Sequence, residues 1–352
     1  MPVAFGLNRF DFRTPDDFAT DVARAESLGW DYAFIPDSQL RRHDTYVMLA
    51  FAAKATSSIH LGPLLTNPVT RHPTVTASSI ATVDVVSDGR AILGLGIGDT
   101  AVRLAGLKPA KVATMEAATR QIRDLLHGGK VDAPRGAGVP HARPVPVWVA
   151  AAGPRMLRAA GRTADGVFLR VGTHPANLRA AVDAVHEGAR EAGRDPGSIR
   201  LGLVVHTALG AGGEDDARTL LIAKSMAAGF YEYSPHLFEV PGLTWDGPDV
   251  HELQPLVNPD FHHHPDLVES GRIVDFLSEE AANAFAFRGT PEAIAEQIAA
   301  TLSLGIPFEI VVPHPVPNPP VPRTGPDFME TLAREVFPRV RQLTGQAASS
   351  PG

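Results

Sequence analysis

The sequence predicts an α/β fold, a (β/α)8 TIM barrel with a long insertion between its seventh and eighth strands. Three observations carry this. About eight short apolar stretches alternate with helical patterns along 352 residues. Those stretches lack strict period-two alternation, as expected of parallel strands covered on both faces. The chain length suits one large barrel over residues 1 to 344, with 345 to 352 as a disordered tail. An open doubly wound sheet is the alternative arrangement of the same elements.

The elements follow in order. Val3 to Leu7 is the first strand. Thr14-Pro15-Asp16-Asp17 then reads as a helix start, with Thr as N-cap, Pro first and two acids at the positive dipole end. Phe18, Val22, Ala25 and Leu28 form its apolar stripe, and Gly29 ends it. Tyr32 to Ile35 is the second strand, and a helix covers Tyr46 to Ala55. Ile59 to Leu65 is the third strand. It breaks at Asn67-Pro68, because a residue before proline is pushed out of the helical region. Pro73 opens the next helix, which runs to Val86. Ala91 to Leu95, Val145 to Ala150, Gly166 to Val171 and Arg200 to Val205 are strands four to seven. Phe308 to Val312 is the eighth, after a helix opening Thr290-Pro291-Glu292. The insertion spans about residues 229 to 285 and is rich in Pro, His and aromatics. It is too long for a plain connection and reads as a lid or a subunit contact. The Pro-rich stretch from Pro313 to Pro322 is expected over the barrel mouth.

Composition narrows the function. Hydrophobic residues make up 44% of the chain, ample for a buried core. There is no cysteine, which excludes disulfides, thiolate metal sites and cysteine nucleophiles. A formal net charge of -7 argues against general nucleic-acid binding. No apolar run reaches membrane-spanning length, and the N-terminus lacks a basic region followed by an apolar one, so a cytoplasmic protein is expected.

Barrel enzymes carry their sites at the C-terminal strand ends. That points to Asp37, Ser38 and Gln39; to Thr66, Asn67 and His72; to Gly96, Gly98 and Asp99; to Ala152, Gly153, Pro154 and Arg155; to Arg170, Gly172 and Thr173; and to His206 and His314. Gly153-Pro154-Arg155 opens a helix whose exposed N–H groups suit an anion such as phosphate, unless it is a plain Gly-Pro helix start. Gly94-Leu-Gly-Ile-Gly-Asp99 is not the dinucleotide fingerprint, because its third glycine comes one residue early. Its glycines let a flat ring approach the backbone, or let elements pack closely. Asp37 is a candidate proton-handling acid, or else a helix N-cap or an ion-pair partner of Arg41 or Arg42. His262, His263 and His264 are consecutive and read as a solvated loop, with no metal site expected.

The combination resembles the luciferase-like flavin and deazaflavin oxidoreductases, on the branch of methylenetetrahydromethanopterin reductases and related enzymes using coenzyme F420. The carrying residues are Thr66 to Ala77, Ala81 to Asp84 with Gly89-Arg90, Leu93 to Asp99, Trp148 to Leu157 and Ala164 to Val167. The likeness covers residues 1 to 205 well and 287 to 312 weakly. It implies a barrel mouth that holds an isoalloxazine-type ring, a kinked third strand near Leu65 to Asn67, often with a non-proline cis peptide, and cofactor phosphate on Ala152 to Arg155. It implies a homodimer and a small-molecule substrate. Asp37, His72 and Asp99 are then the candidate catalytic residues. Asp37, Ser38, Thr66, Asn67, Gly96, Gly98, Ala152, Gly153, Pro154, Arg155, Arg170 and Gly172 are the candidate cofactor-binding residues. Arg155, Arg158, Arg170, Lys108 and Lys111 are the expected sources of positive charge for an acidic cofactor tail. A histidine after strand two, which handles protons in some relatives, is replaced here by Asp37-Ser38-Gln39. The alternatives are a flavin mononucleotide (FMN) monooxygenase and a cofactor-free binding protein on the same fold.

Overall fold

The computed structural model describes residues 2–8, 13–316 and 327–346. The end of the Pro-rich stretch and most of the expected tail lie outside them. The fold class is the (β/α)8 barrel: parallel strands alternate with helices along the chain. The chain divides into two compact units, Ala4–Phe168 with Val182–Gly202, and Met1–Val3 with Leu169–Ala181 and Leu203–Gly352.

The first unit holds β1 (Ala4–Asn8), β2 (Tyr32–Ile35), β3 (His60–Pro63), β4 (Leu93–Leu95), β5 (Val147–Ala151) and nearly all of β6 (Gly166–Leu169). β1 pairs parallel with β2, β2 with β3, and β4 with β5. Bridges at Leu61–Ala91 and Thr66–Leu95 carry β3 along β4. The opening helix Pro15–Ser27 is capped as the sequence predicts, with Thr14 Oγ1 accepting from the Asp17 N–H at 3.1 Å. Gly29 follows it at φ +87°, a conformation that favours glycine. Trp148 is fully buried and packs on Phe168 with ring centroids 4.7 Å apart. Gly166 makes room for it, since a Cβ there would sit 2.4 Å from the indole.

The glycines on β4 and just after it have a similar cause. A Cβ on Gly94 would lie 2.4 Å from the Pro63 carbonyl oxygen, and one on Gly96 would lie 2.7 Å from the Leu65 side chain. One on Gly98, at φ +82°, would meet Val102 at 2.3 Å. Of the two readings left open for these glycines, close packing is the one these contacts favour.

The second unit holds β7 (Arg200–Leu209) from Leu203 onward, β8 (Ala286–Gly289) and β9 (Phe308–Pro315). β7 runs four residues beyond the expected end, and its extension pairs parallel with β8 from His206–Ala286 to Leu209–Gly289. β8 lies outside the eight strands expected from the sequence, because Ala286-Phe-Arg-Gly289 is short, carries a charge and ends in glycine. The expected insertion begins inside the long helix Asp215–Tyr233 and continues through short helices at Val250–Leu253, Leu267–Ile273 and Glu279–Phe285. Its aromatics form their own core. Tyr231 stacks on Trp245 at 4.2 Å and Phe238 on Phe285 at 5.0 Å. No helix among the described residues is long and apolar enough to cross a membrane.

Candidate active site

In the first unit the chain past β2 and the chain past β3 meet at an ionic cluster built on one buried carboxylate. Asp37 is 3% exposed. Its Oδ2 accepts from the Thr66 hydroxyl at 2.7 Å and from Arg71 Nε at 2.7 Å, and its Oδ1 accepts from Arg71 Nη2 at 3.3 Å. Arg71 Nη2 also reaches Asp44 Oδ2 at 2.5 Å. The partner of Asp37 is therefore Arg71, not the expected neighbours Arg41 or Arg42. Asp44, not Asp37, is the helix N-cap, its Oδ1 accepting from Tyr46 N at 3.0 Å and Val47 N at 3.1 Å. Asp44 thus starts the helix Thr45–Ala55 and anchors the guanidinium with the same carboxylate.

Arg71 lies with its Cζ 4.9 Å from the Tyr46 ring centroid, a cation–π distance. Burial works against its charge, but the hydrogen bonds to Asp37 and Asp44 outweigh it and raise its pKa further. Burial and then the Asp37 charge push the Tyr46 phenol up, which keeps it neutral. Asp44 is lowered: burial opposes this, and the Arg71 hydrogen bond and helix N–H groups prevail.

The other residues picked from the sequence after β2, β3 and β4 have varied settings. Ser38 is 7% exposed, and its buried Oγ has no hydrogen-bond partner. Asn67 is 2% exposed and turned inward on its own loop, Oδ1 accepting from Val69 N at 3.0 Å and Thr70 N at 2.9 Å. A non-proline cis peptide joins Leu64 to Leu65, one residue before the expected stretch. His72 is exposed and caps the helix Pro73–Ser87, Nδ1 accepting from Thr74 N at 3.3 Å. Asp99 is partly exposed and pairs with Arg103 at 2.5 Å.

Gly153 is the N-cap of the helix Pro154–Thr163, no side chain caps it, and the space a Cβ would take is open. Ala152 and Gly153 are partly exposed, and Pro154 and Arg155 are exposed. Of the expected cations, Arg158 is committed elsewhere. It pairs with Glu187 at 3.0 Å and with Glu191, while Arg162 holds Glu116 and Glu191. Lys108 and Lys111 are exposed.

Arg170 and Gly172 belong to the second unit. Gly172 has φ +72°, and a Cβ there would lie 2.2 Å from the Ala284 carbonyl oxygen, so close packing accounts for this glycine. The second unit also gathers histidines. His206 on β7 lies 5.0 Å from His262 and 5.2 Å from His314 on β9, ring centroid to centroid. Phe230 edges onto both His206 and His262. His262 Nε2 donates to the Met226 carbonyl at 3.0 Å. His262 is therefore packed against aromatics and not part of a solvated loop. His263 is tied to Asp260 at 2.8 Å. Two residues of these clusters, Arg71 and His262, are not among those the sequence marks as site candidates. Arg71 stood inside the Thr66–Ala77 motif between two helix breakers, and that placement was its only signal. His262 had none, since a run of three histidines reads as exposed.

The luciferase-like monooxygenase family model matches residues 13–307. A 5,10-methylenetetrahydromethanopterin reductase from Methanopyrus kandleri is 29% identical, across 97% of this chain and 99% of that protein. One from Methanolobus tindarius is 31% identical, across 84% and 89%. The solved structure of the coenzyme F420-dependent tetrahydromethanopterin reductase from M. kandleri superposes with TM-score 0.73 at 26% identity, covering 97% of this chain and all of that one. A family match over most of the chain, together with full-length likeness to these reductases, makes the chain an oxidoreductase of the luciferase-like monooxygenase family.

Proposed function

We propose that this protein is a coenzyme F420-dependent oxidoreductase that passes a hydride between the deazaflavin and a small organic substrate. The observation that carries the reading is the full-length likeness to a coenzyme F420-dependent reductase. Features of the first unit fit such a cofactor. Ser38 offers a buried, unsatisfied hydroxyl. Gly153 offers an uncapped helix start with open space before it. Arg155 is exposed beside it.

The bound deazaflavin would supply the hydride chemistry. The backbone N–H groups at Gly153 and the Arg155 guanidinium would hold a cofactor phosphate, as helix N-termini hold anions. Ser38 would give or take a hydrogen bond to the bound cofactor. Asp37 would be held in place by Arg71 and Thr66, and through them would orient the loop from Thr66 to His72. Asp99 and His72 keep enough exposure to meet a ligand. Gly96 and Gly98 complete the proposed binding set of the first unit, and Arg170 and Gly172 are proposed as binding residues of the second. The reading carries with it a cytoplasmic homodimer, which size-exclusion chromatography with light scattering would test.

The test is a fluorescence titration of wild-type protein and Arg155→Glu with oxidised coenzyme F420. Saturable binding by wild type and a loss of at least tenfold in the variant would support the assignment. Equal affinity of the two would refute the phosphate role, and no binding by wild type would refute the cofactor.

A further inference from the structure

His206, His262 and His314 of the second unit have no role in the proposed cofactor chemistry. His206 is 7% exposed, and its Nδ1 is buried with no hydrogen-bond partner. A buried polar atom left in this state is destabilising unless something fills the need. His262 donates from Nε2 to Met226, so its Nδ1 carries no proton and can accept one. His314 meets the face or edge of His206 at right angles.

The charged surroundings are one-sided. Around His206 the groups that make themselves felt are His262, His314, Arg170 and His263. Around His262 they are His263, Arg170 and the single acid Asp260. Asp260 is already engaged, with both carboxylate oxygens on His263 Nδ1 at 2.8 and 2.9 Å. Burial first, and then these like charges, hold His206 well below its ordinary pKa and push His262 down to about 3. Both rings are therefore neutral near pH 7, but they sit where a negative charge would reverse the balance.

We propose that His206, His262 and His314 form a binding site for an oxyanion, a carboxylate or a phosphate, which enters together with a proton. The anion would supply the missing partner of His206 Nδ1. Its charge would raise the pKa of the ring it touches and bring a proton onto it from solvent. No bond other than this N–H is made. That the anion belongs to the substrate rests on the oxidoreductase reading; the site itself does not.

The test uses the full-length protein without cofactor and sulfate as the probe, because sulfate keeps its charge from pH 5 to 9. Calorimetry in two buffers of different ionisation enthalpy counts the protons taken up. About one proton per sulfate is expected, with affinity falling about tenfold per pH unit above neutrality. In His206→Gln the proton uptake should disappear and affinity drop by about tenfold, whereas in Arg155→Ala the uptake should persist. Imidazole ¹⁵N spectra of the wild type give a readout independent of whether variants fold, and one buried ring should turn to imidazolium as sulfate is added. Binding with no proton uptake and no imidazole change, lost only in Arg155→Ala, would assign the anion to the Gly153 helix and overturn the proposal. No sulfate binding at all would also overturn it. Either result, found alongside intact deazaflavin binding, leaves the cofactor reading standing.

Discussion

The Asp37–Arg71–Asp44 cluster of the first unit and the His206–His262–His314 cluster of the second handle burial in opposite ways. The first keeps its charges and satisfies them. Each Asp37 oxygen has a partner, and the guanidinium is shared between two carboxylates and lies over an aromatic ring. The second gives up charge, with burial and like neighbours holding His206 and His262 neutral. A paired site is rigid and expensive to break, because removing one partner strands the other. A neutral site with an unmet polar atom is cheap to perturb and ready for a ligand. The difference fits the first cluster to a positioning role and the second to a receiving one.

The largest expected effect breaks the paired side. Arg71→Ala leaves Asp37 buried without its cation and should cost about 3–5 kcal/mol in urea unfolding. Asp37→Asn combined with Arg71→Ala should recover part of that, since no charge is then stranded. A single-variant loss under 1 kcal/mol would mean that the cluster is not a unit.

Next comes acid, which separates the two clusters. His206 and His262 have folded pKa values below the unfolded 6.5, so their contribution is complete above pH 6.5 and is lost as pH falls toward the folded values. Stability should decline between pH 6.5 and 4.5 by at most about 1.4 kcal/mol per pH unit for each histidine. The carboxylates start later. Glu26 accepts from the Ser57, Ser58 and Ile59 N–H groups, and these outweigh burial to bring it to about 2. Asp44 is also lowered. Their contribution holds above about pH 4.5 and disappears only below it. His262→Gln should flatten the upper part of the pH–stability curve and leave the lower part unchanged.

Smaller still is the support beneath the first cluster. Gly94→Ala should cost about 1–3 kcal/mol in thermal or urea unfolding, because the new Cβ would meet the Pro63 carbonyl oxygen rather than a movable side chain. Smallest is the surface pair. Arg103→Ala, opposite an Asp99 side chain that is 43% exposed, should change stability by less than about 1 kcal/mol.

What could be read from the sequence was local. Thr14-Pro15 and Thr290-Pro291 announced their helices because a cap and its partner lie three residues apart. The strands were legible because parallel strands are apolar throughout. The candidate site was legible only as a set of strand ends. The Asp37–Arg71 pair joins residues 34 apart, and nothing local separates Arg71 from Arg41 or Arg42 as the partner. The burial of His262 depends on Phe230 and Met226 of the helix Asp215–Tyr233. The role of Gly96 became readable only with Leu65 beside it. Tertiary neighbours decided each of these.

The most direct test of the central claim is a parallel titration of the cofactor-free protein with oxidised coenzyme F420 and with FMN, followed by cofactor fluorescence. The account predicts tight binding of the deazaflavin and weak or no binding of FMN. Tight binding of FMN alone, with oxygen consumed once the flavin is reduced, would contradict it and make the protein a monooxygenase.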